Sequence, residues 1–520
     1  MQTQARRILW IDDEISSLEK HILFLEQRGY QITPAMRGVD GLSQLKKKTY
    51  DAVLINHMMP DMDGIRLLSA IKRRCPYLPV VMVTENEQQE IMNEAIIHRV
   101  DDFLMKPLNP QQIASQLAFL LEYDAVTEDH TAQEYVIDFN KRSALKQHDV
   151  DWKTWIDIYT QLAEWDLRLD ELDIADSLRE THKLEKQECN ALFARYIEEN
   201  YPNWLVGEDS PVLSVDLLYK HVIPQIQVGK QVFFMVMDCM RLDHWLKIKP
   251  LLDPHFQITT HYHYSILPTA TNYSRNSIFS GLFPLEFSQR YPDLWVETDD
   301  ENTSVNRHEK DLMRLQLERH GIYLKPTPHY FKIFDVRGEM EYLQWISNTK
   351  RISLAAVVVG FIDHLTHKRS EIALLKQLIP DETAFRTFVQ NWFQHSGVYK
   401  ILKLLADRGV TVVLTADHGS ILCQHAAKVS GDRPATNGLR FKVGGELICN
   451  EGAGLRITQP EQYMLPDTPY EKNYILAKED YYFVYPNQFN DYKHQYNGGF
   501  QHGGISMEEM ILPCAILEPK

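Results

Sequence analysis

The 520-residue chain reads as two α/β segments separated by a helical one. Three observations predict this. Four short apolar runs, at residues 8–11, 53–55, 80–83 and 102–105, alternate with amphipathic stretches such as 18–27 and 65–73. That alternation is the pattern of a doubly wound parallel sheet. From about Asp124 to Ser210 the strand pattern gives way to apolar residues at helical spacing, and from Gln231 strands return, three of them leading to an aspartate. We therefore expect three domains, over residues 1–122, 123–211 and 212–520.

Composition bounds the function. At 44% hydrophobic and 24% charged residues the chain can bury substantial cores. A net charge of −16 argues against direct duplex DNA binding by general electrostatic attraction. No signal-peptide core opens the chain and no apolar run approaches the 18 or so residues of a membrane span. Six scattered cysteines contain no Cys-x-x-Cys pair. A cytoplasmic protein with reduced thiols and no membrane insertion is the expectation.

The first segment places Asp12, Asp13, Asn56, Thr84 and Lys106-Pro107 at the ends of its strands, the edge where function collects in such sheets. Together with Met58-Met59-Pro60-Asp61-Met62-Asp63-Gly64, these features in order resemble the receiver domain of bacterial response regulators, a flavodoxin-like fold. The resemblance implies that Asp12 and Asp13 hold Mg²⁺, that Thr84 senses phosphate and that Lys106 binds it. One position departs. Receivers carry the phosphate-accepting aspartate four residues before the proline, and here that residue is Asn56. An amide oxygen cannot accept a phosphoryl group in place of a carboxylate, and it removes a negative ligand for Mg²⁺. A receiver kept for packing and dimer contacts, an engineered substitution and slow deamidation are three readings of this position.

In the middle segment, Trp152, Trp155, Ile156, Tyr159, Leu162 and Ala163 fall at helical spacing, as do Cys189, Leu192, Phe193, Tyr196 and Ile197. Residues 125–225 carry 10 Lys+Arg against 21 Asp+Glu. A DNA-reading output domain is normally basic, so a helical-bundle linker is expected here instead.

In the last segment, residues 231–237 lead to Asp238, residues 354–362 to Asp363 with His364 and His367 following, and residues 411–416 to Asp417-His418-Gly419. His502-Gly503-Gly504 lies near the C-terminus. The turn Pro268-Thr269-Ala270-Thr271-Asn272 precedes a helix expected from near Ser274. It presents a hydroxyl at a helix N-terminus, where N–H groups and the dipole favour an anion. Threonine is a weak nucleophile without a metal or a base beside it. Mixed Asp/His ligands suit zinc. An aspartate after a strand is often only a helix cap, but several such placements beside this turn point to a metal-assisted site.

These motifs resemble those of the alkaline phosphatase superfamily, and residues 431–440, with Arg433 and Arg440, resemble its PglZ branch. The resemblance implies an α/β effector with two zinc ions. One is held by Asp363, His367 and His502; the other by Asp238, Thr271, Asp417 and His418. Thr271 is then the nucleophile and Asn272 a phosphoryl-oxygen ligand, while His364 stays outside the ligand set. Neither arginine is assigned a catalytic role.

The whole chain resembles the PorX-like response regulators of type IX secretion, in which a receiver precedes a PglZ domain. That implies a phosphodiesterase or phosphatase acting on small cyclic or linear oligonucleotides. It also implies a homodimer through the receiver, a sensor histidine kinase partner and a sigma factor as a further one. The competing reading is a non-catalytic signalling scaffold whose metals only hold the fold. Residues 284–353 and 420–499 interrupt the metal motifs and are expected to cap the site. Monoester, diester and sulfate ester stay open on the residues alone, and Tyr262, Tyr264, Tyr273, Trp295 and Tyr330 are the aromatics available to stack on a base.

Overall fold

The computed structural model describes the chain except residues 1–5, 76–77, 85–99, 101, 147–149, 172–175, 208, 297–305, 433–437, 451, 467–472, 487–492 and 494. It forms two compact units, Met1–Lys141 and Arg142–Lys520.

The first unit is built on β1 (Arg6–Ile11), β2 (Tyr30–Ala35), β3 (Ala52–Asn56), β4 (Val80–Thr84) and β5 (Asp102–Met105). They pair in the order β2-β1-β3-β4-β5, every pair parallel. The apolar runs of β1, β3 and β4 are fully buried because helices cover both faces of such a sheet. Strand β2 escapes the sequence reading: its alternating residues include Pro34, which only an edge position tolerates. The helix Gly64–Arg74 starts on the Asp63 carboxylate, which accepts from Ile65 N at 2.9 Å. A side chain at Gly64 would meet Asn56 O and His57 Cα at 2.7 Å, so glycine is required there.

The second unit is centred on a six-stranded sheet of β6 (Val232–Met237), β7 (Phe256–Tyr264), β8 (His329–Ile333), β9 (Leu354–Val359), β10 (Thr411–Thr415) and the C-terminal β18 (Ile511–Pro519). The order is β7-β18-β10-β6-β9-β8, with β10, β6, β9 and β8 parallel and β18 alone reversed, antiparallel to both of its neighbours β10 and β7. Strand β6 is flanked by β9 on one side and β10 on the other, and the chain passes from β9 across β6 to β10. That crossing opens a crevice at the carboxyl edge.

Residues 284–353 are not simply a cap. They contain β8, an edge strand of the main sheet, and the helix Glu309–Arg319, which packs on the helix Thr271–Ser280. The edge position explains why His329-Tyr330-Phe331-Lys332-Ile333 lacks the continuous apolar run of a central strand. Residues 420–499 carry a second sheet of β12 (His425–Asp432), β13 (Phe441–Cys449), β14 (Gly454–Ile457), β15 (Asn473–Ala477) and β16 (Tyr481–Val484), in the order β14-β15-β13-β12-β16. The short β11 (Ile421–Cys423) pairs antiparallel with β17 (Gly499–Gln501).

The helices Trp152–Glu171 and Asp176–Trp204 share the core of this unit. Trp155, Tyr159, Leu162, Cys189, Phe193 and Ile197 are buried together with Phe233, Trp245 and Tyr264 of the α/β part. Each large apolar side chain so buried contributes about 1.5–3 kcal/mol. Polar contacts fix the register. Tyr264 OH donates to Trp152 O at 2.7 Å, and Leu267 N donates to Tyr201 OH at 3.0 Å. Arg142 and Glu185 form a fully buried two-pronged ion pair, both bonds 2.8 Å.

No helix among the described residues is long and apolar enough to cross a membrane. All six cysteines are thiols.

Candidate active site

The parallel register aligns Met237 with Val359 and Val236 with Thr415, so the chain segments carrying Asp238, Asp363 and Asp417 emerge at one edge of the sheet. Asp238 follows β6 directly, and the turn is held when Cys239, in the left-handed region at φ 65°, donates its N–H to Asp417 Oδ1 at 3.3 Å. Asp363 differs from the sequence reading. Strand β9 ends at Val359, Gly360 leads into the helix Phe361–Glu371, and Asp363 lies in the first turn of that helix. The helical spacing puts His367 above it on the same face. The helix carrying Thr271 begins at Thr271 itself, three residues before the expected start, and Ala270 provides no side-chain cap. Tyr273 N already donates to Ala270 O at 3.0 Å, so the amides ahead of it, of Thr271 and Asn272, are the ones that can meet an anion.

These elements bring all seven expected ligand residues together. Asp363 Oδ1, His367 Nε2 and His502 Nε2 form a triangle with sides of 3.1, 3.3 and 3.4 Å. A tetrahedral zinc with nitrogen and oxygen ligands at about 2.0–2.2 Å sets neighbouring ligand atoms about 3.3–3.6 Å apart. The triangle is close to one face of that tetrahedron.

The second group is wider. His418 Nε2 stands 3.7 Å from Asp238 Oδ1 and 3.8 Å from Asp417 Oδ2, and Thr271 Oγ1 lies 3.0 Å from the same nitrogen. His418 also clusters with Asp363 and His502, so it stands between the two groups. His367 is half exposed, at 51%, which opens this side to solvent. His364 is exposed and stays outside both groups.

Charge is the strongest feature of the site. Asp238 Oδ1, Asp363 Oδ1 and Asp417 Oδ2 are buried carboxylate oxygens with no well-aligned hydrogen bond among the described residues. Burial and the charge of Asp363 lift the Asp238 carboxyl to about 6, and burial with the charge of Asp238 lifts Asp417 well above the usual range. Burial opposes ionisation of Asp363 too, yet His367 and His502 hold its carboxyl well below the usual range. Burial pushes the His418 imidazole well below its ordinary value, leaving it neutral with a lone pair to give. Unsatisfied buried oxygens are costly unless a cation meets them. The donor set and its spacing fit zinc.

Sequence reasoning missed Arg275. Its buried guanidinium pairs with Asp238 and with Glu309 and lies 3.7 Å from Asp417 Oδ2. The available signal was its place one helical turn after Thr271. Glu309 is in turn held by Lys332 at 2.8 Å and by Tyr330 OH. Asn306 Nδ2 donates to Thr271 O at 3.1 Å. Asn272 follows Thr271 in the first helical turn, half-buried, with its carbonyl accepting from Asn276 Nδ2 at 2.9 Å.

Arg440 is buried and structural, donating to Glu509 at 3.1 and 2.5 Å and to Lys478 O at 3.3 Å. Arg433 lies outside the described residues. The aromatics considered for base stacking are largely packing groups: Tyr264 is fully buried, and Tyr273 packs edge-on against Trp295, Phe441 and Tyr474.

In the first unit, Asp12, Asn56 and Thr84 are buried at the carboxyl edge of the sheet. Lys106 Nζ lies 3.8 Å from Asp12 Oδ2 and 3.6 Å from Glu14 Oε2. Burial raises the Asp12 carboxyl above its ordinary value. Asn56 Nδ2 donates to Asp13 Oδ1 at 2.8 Å and to Met58 O at 2.9 Å. The amide thus meets with N–H groups two oxygens of the kind that Mg²⁺ prefers.

Comparison with known proteins agrees with both halves. The family described as the BREX system PglZ alkaline phosphatase-like domain matches residues 217–516. The response regulator receiver domain matches residues 8–118, and the PorX response regulator linker domain residues 125–205. The regulatory protein VanRc of Enterococcus gallinarum is 28% identical over 135 residues, covering 25% of this chain and 58% of VanRc. The transcriptional regulatory protein ZraR of Salmonella typhimurium is 32% identical over 120 residues, covering 23% of this chain and 27% of ZraR. The chain thus spans about half of the first relative and about a quarter of the second. A CheY-like receiver structure from Methanospirillum hungatei JF-1 is 27% identical and covers 23% of this chain and 94% of that one, with a TM-score of 0.22. With a receiver, a PorX-type linker and a PglZ domain in that order, the last matching more than half of its length, the chain belongs to the PglZ alkaline phosphatase-like family and is a PorX-like response regulator.

Proposed function

We propose that the effector is a two-zinc phosphodiesterase or phosphatase with Thr271 as its nucleophile. The observation that carries this reading is the convergence of three buried carboxylate oxygens without well-aligned hydrogen bonds and three imidazoles into two groups that meet at His418, whose Nε2 lies 3.0 Å from the Thr271 hydroxyl. Asp363, His367 and His502 would hold one ion; Asp238, Thr271, Asp417 and His418 the other. Such a pair lowers the pKa of an attacking hydroxyl and stabilises the leaving oxygen of an in-line displacement.

The chain's own groups do the rest. Thr271 Oγ1, placed 3.0 Å from His418 Nε2, gives up its proton to solvent and forms the bond to phosphorus as the bond from phosphorus to the ester oxygen breaks and that oxygen takes a proton from water. The Thr271 and Asn272 amides at the helix start and the Asn272 side chain take up charge on the equatorial oxygens. Arg275 pairs with Asp238 and lies 3.7 Å from Asp417 Oδ2, so its charge opposes the rise that burial imposes on both carboxyls and fixes where they stand. Water then attacks the phosphothreonine at phosphorus and frees Thr271. Small cyclic or linear oligonucleotides are the proposed substrates and, in keeping with the PorX-type linker, regulation of type IX secretion the proposed role.

Elemental analysis after zinc loading should give two ions per chain. Nitrophenyl phosphate monoesters, phosphodiesters and sulfate esters, assayed on the same preparation, rank the ester class. A scaffold reading draws on Arg275, which meets Asp238 and Asp417 without a second metal. One ion per chain at saturation with no turnover of any ester would favour it.

The receiver is the kind of module a sensor histidine kinase phosphorylates, and we propose such a kinase, a receiver-mediated homodimer and a sigma factor as partners. Asn56 sets the expected behaviour. A phosphodonor with Mg²⁺ should leave the chain unmodified, because an amide forms no acyl phosphate. Asn56→Asp should become phosphorylated and shift toward a dimer burying roughly 800 Å² per partner. Light scattering with and without acetyl phosphate decides. A donor-induced dimer of the Asn56 form would mean that another residue accepts phosphate, and no response in Asn56→Asp would mark a purely structural receiver.

A further inference from the structure

His502 and His418 are both set by one short segment. The helix turn Met507–Met510 follows His502 closely, and its Glu509 carboxylate accepts from Gly504 N at 2.8 Å. The same segment meets the other histidine. Gly419, directly after His418, donates its N–H to Glu509 O at 3.1 Å. Its Cα packs so closely on the Glu508 carbonyl that a side chain there would stand 1.9 Å from that oxygen. A displacement of residues 507–509 would therefore move ligands of both metal groups together.

What holds that segment from the outside is Asn190, on the linker helix Asp176–Trp204. Its side-chain amide is buried and used at both ends: Oδ1 accepts from Met507 N at 2.9 Å and Nδ2 donates to Glu508 Oε2 at 3.0 Å. One helical turn earlier Lys186 stands 3.9 Å from Glu508 Oε1 and bonds Asp166 at 2.8 Å. A buried amide with donor and acceptor both satisfied has one orientation, and rotating it or shifting the helix loses both bonds at once.

We infer that Asn190 is a positioning residue through which the linker helix sets the metal affinity of the effector. The linker is then part of the catalytic apparatus rather than a spacer, and a force that shifts this helix would act on both metal groups. The inference rests on the ligand assignment proposed above.

The test compares Asn190→Ala with Cys189→Ala in the full chain. Cys189 is the neighbouring residue, equally buried, and packs in the apolar core. Zinc affinity is measured by competition with a chromophoric chelator, well below the unfolding temperature of either variant. Residues that orient metal ligands typically change affinity about 10–100-fold when removed, and that loss is expected for Asn190→Ala. Cys189→Ala should bind as the wild type does, even though it is less stable. In the cobalt-substituted protein, the visible absorption bands should change in the first variant and be retained in the second. If Asn190→Ala does not fold, Asn190→Asp keeps the acceptor for Met507, removes the donor to Glu508 and should also weaken zinc binding. Equal affinities and spectra in the Asn190 and Cys189 variants would overturn the inference. A wild-type chain that binds no zinc would instead overturn the ligand assignment.

Discussion

Thr271→Ala should lower the turnover of a phosphate ester by about a thousandfold or more, the cost of removing a nucleophile from an otherwise intact site. The metals should remain. Six Asp and His side chains are untouched by the change, and the tighter group of Asp363, His367 and His502 does not involve the hydroxyl. Steady-state kinetics and elemental analysis on one preparation test both halves. Asp417→Ala should differ, because it removes a ligand and leaves Arg275 with one carboxylate fewer; metal content should fall along with turnover. Wild-type turnover by a metal-loaded Thr271→Ala would show that the hydroxyl does not attack phosphorus.

Glu509→Ala should destabilise the larger unit by about 3–5 kcal/mol, because it leaves the buried Arg440 charge without its counter-ion. Arg440 and Glu509 are both fully buried. The carboxylate also accepts from Gly504 N, Ser506 Oγ and both donor arms of Arg440. Removing it strands several donors as well as a charge. Replacing both partners by apolar residues of similar size, Arg440→Met with Glu509→Leu, should recover a large part of the loss, because the buried charge then disappears. Urea unfolding followed by circular dichroism on the wild type and these two variants measures this. A loss below about 1 kcal/mol for Glu509→Ala, the level of an exposed ion pair, would mean that the network contributes little.

The central parallel strands, and the positions of the acids that follow them, were legible in the sequence alone. Fully buried central strands must be continuous apolar runs, so β1, β3, β4, β6, β9 and β10 announce themselves. A polar residue just beyond such a run must lie at the carboxyl edge, which is why Asp238 and Asp417 could be placed together without coordinates. Asn56 was equally legible, since its spacing from Pro60 fixes its position.

Tertiary structure decided what depends on partners distant in sequence. Edge strands β2 and β8 bury only part of their surface and carry no continuous run, so pairing alone reveals them. Arg275 reads as an ordinary helical arginine until Asp238, Glu309 and Asp417 surround it. Asp363 reads as a strand end because the apolar run continues through Phe361 and Ile362, whereas the chain turns into a helix at Gly360. Asn190 and Met507 are 317 residues apart. No local pattern marks that contact, because a buried amide is selected by the groups facing it and not by its neighbours along the chain.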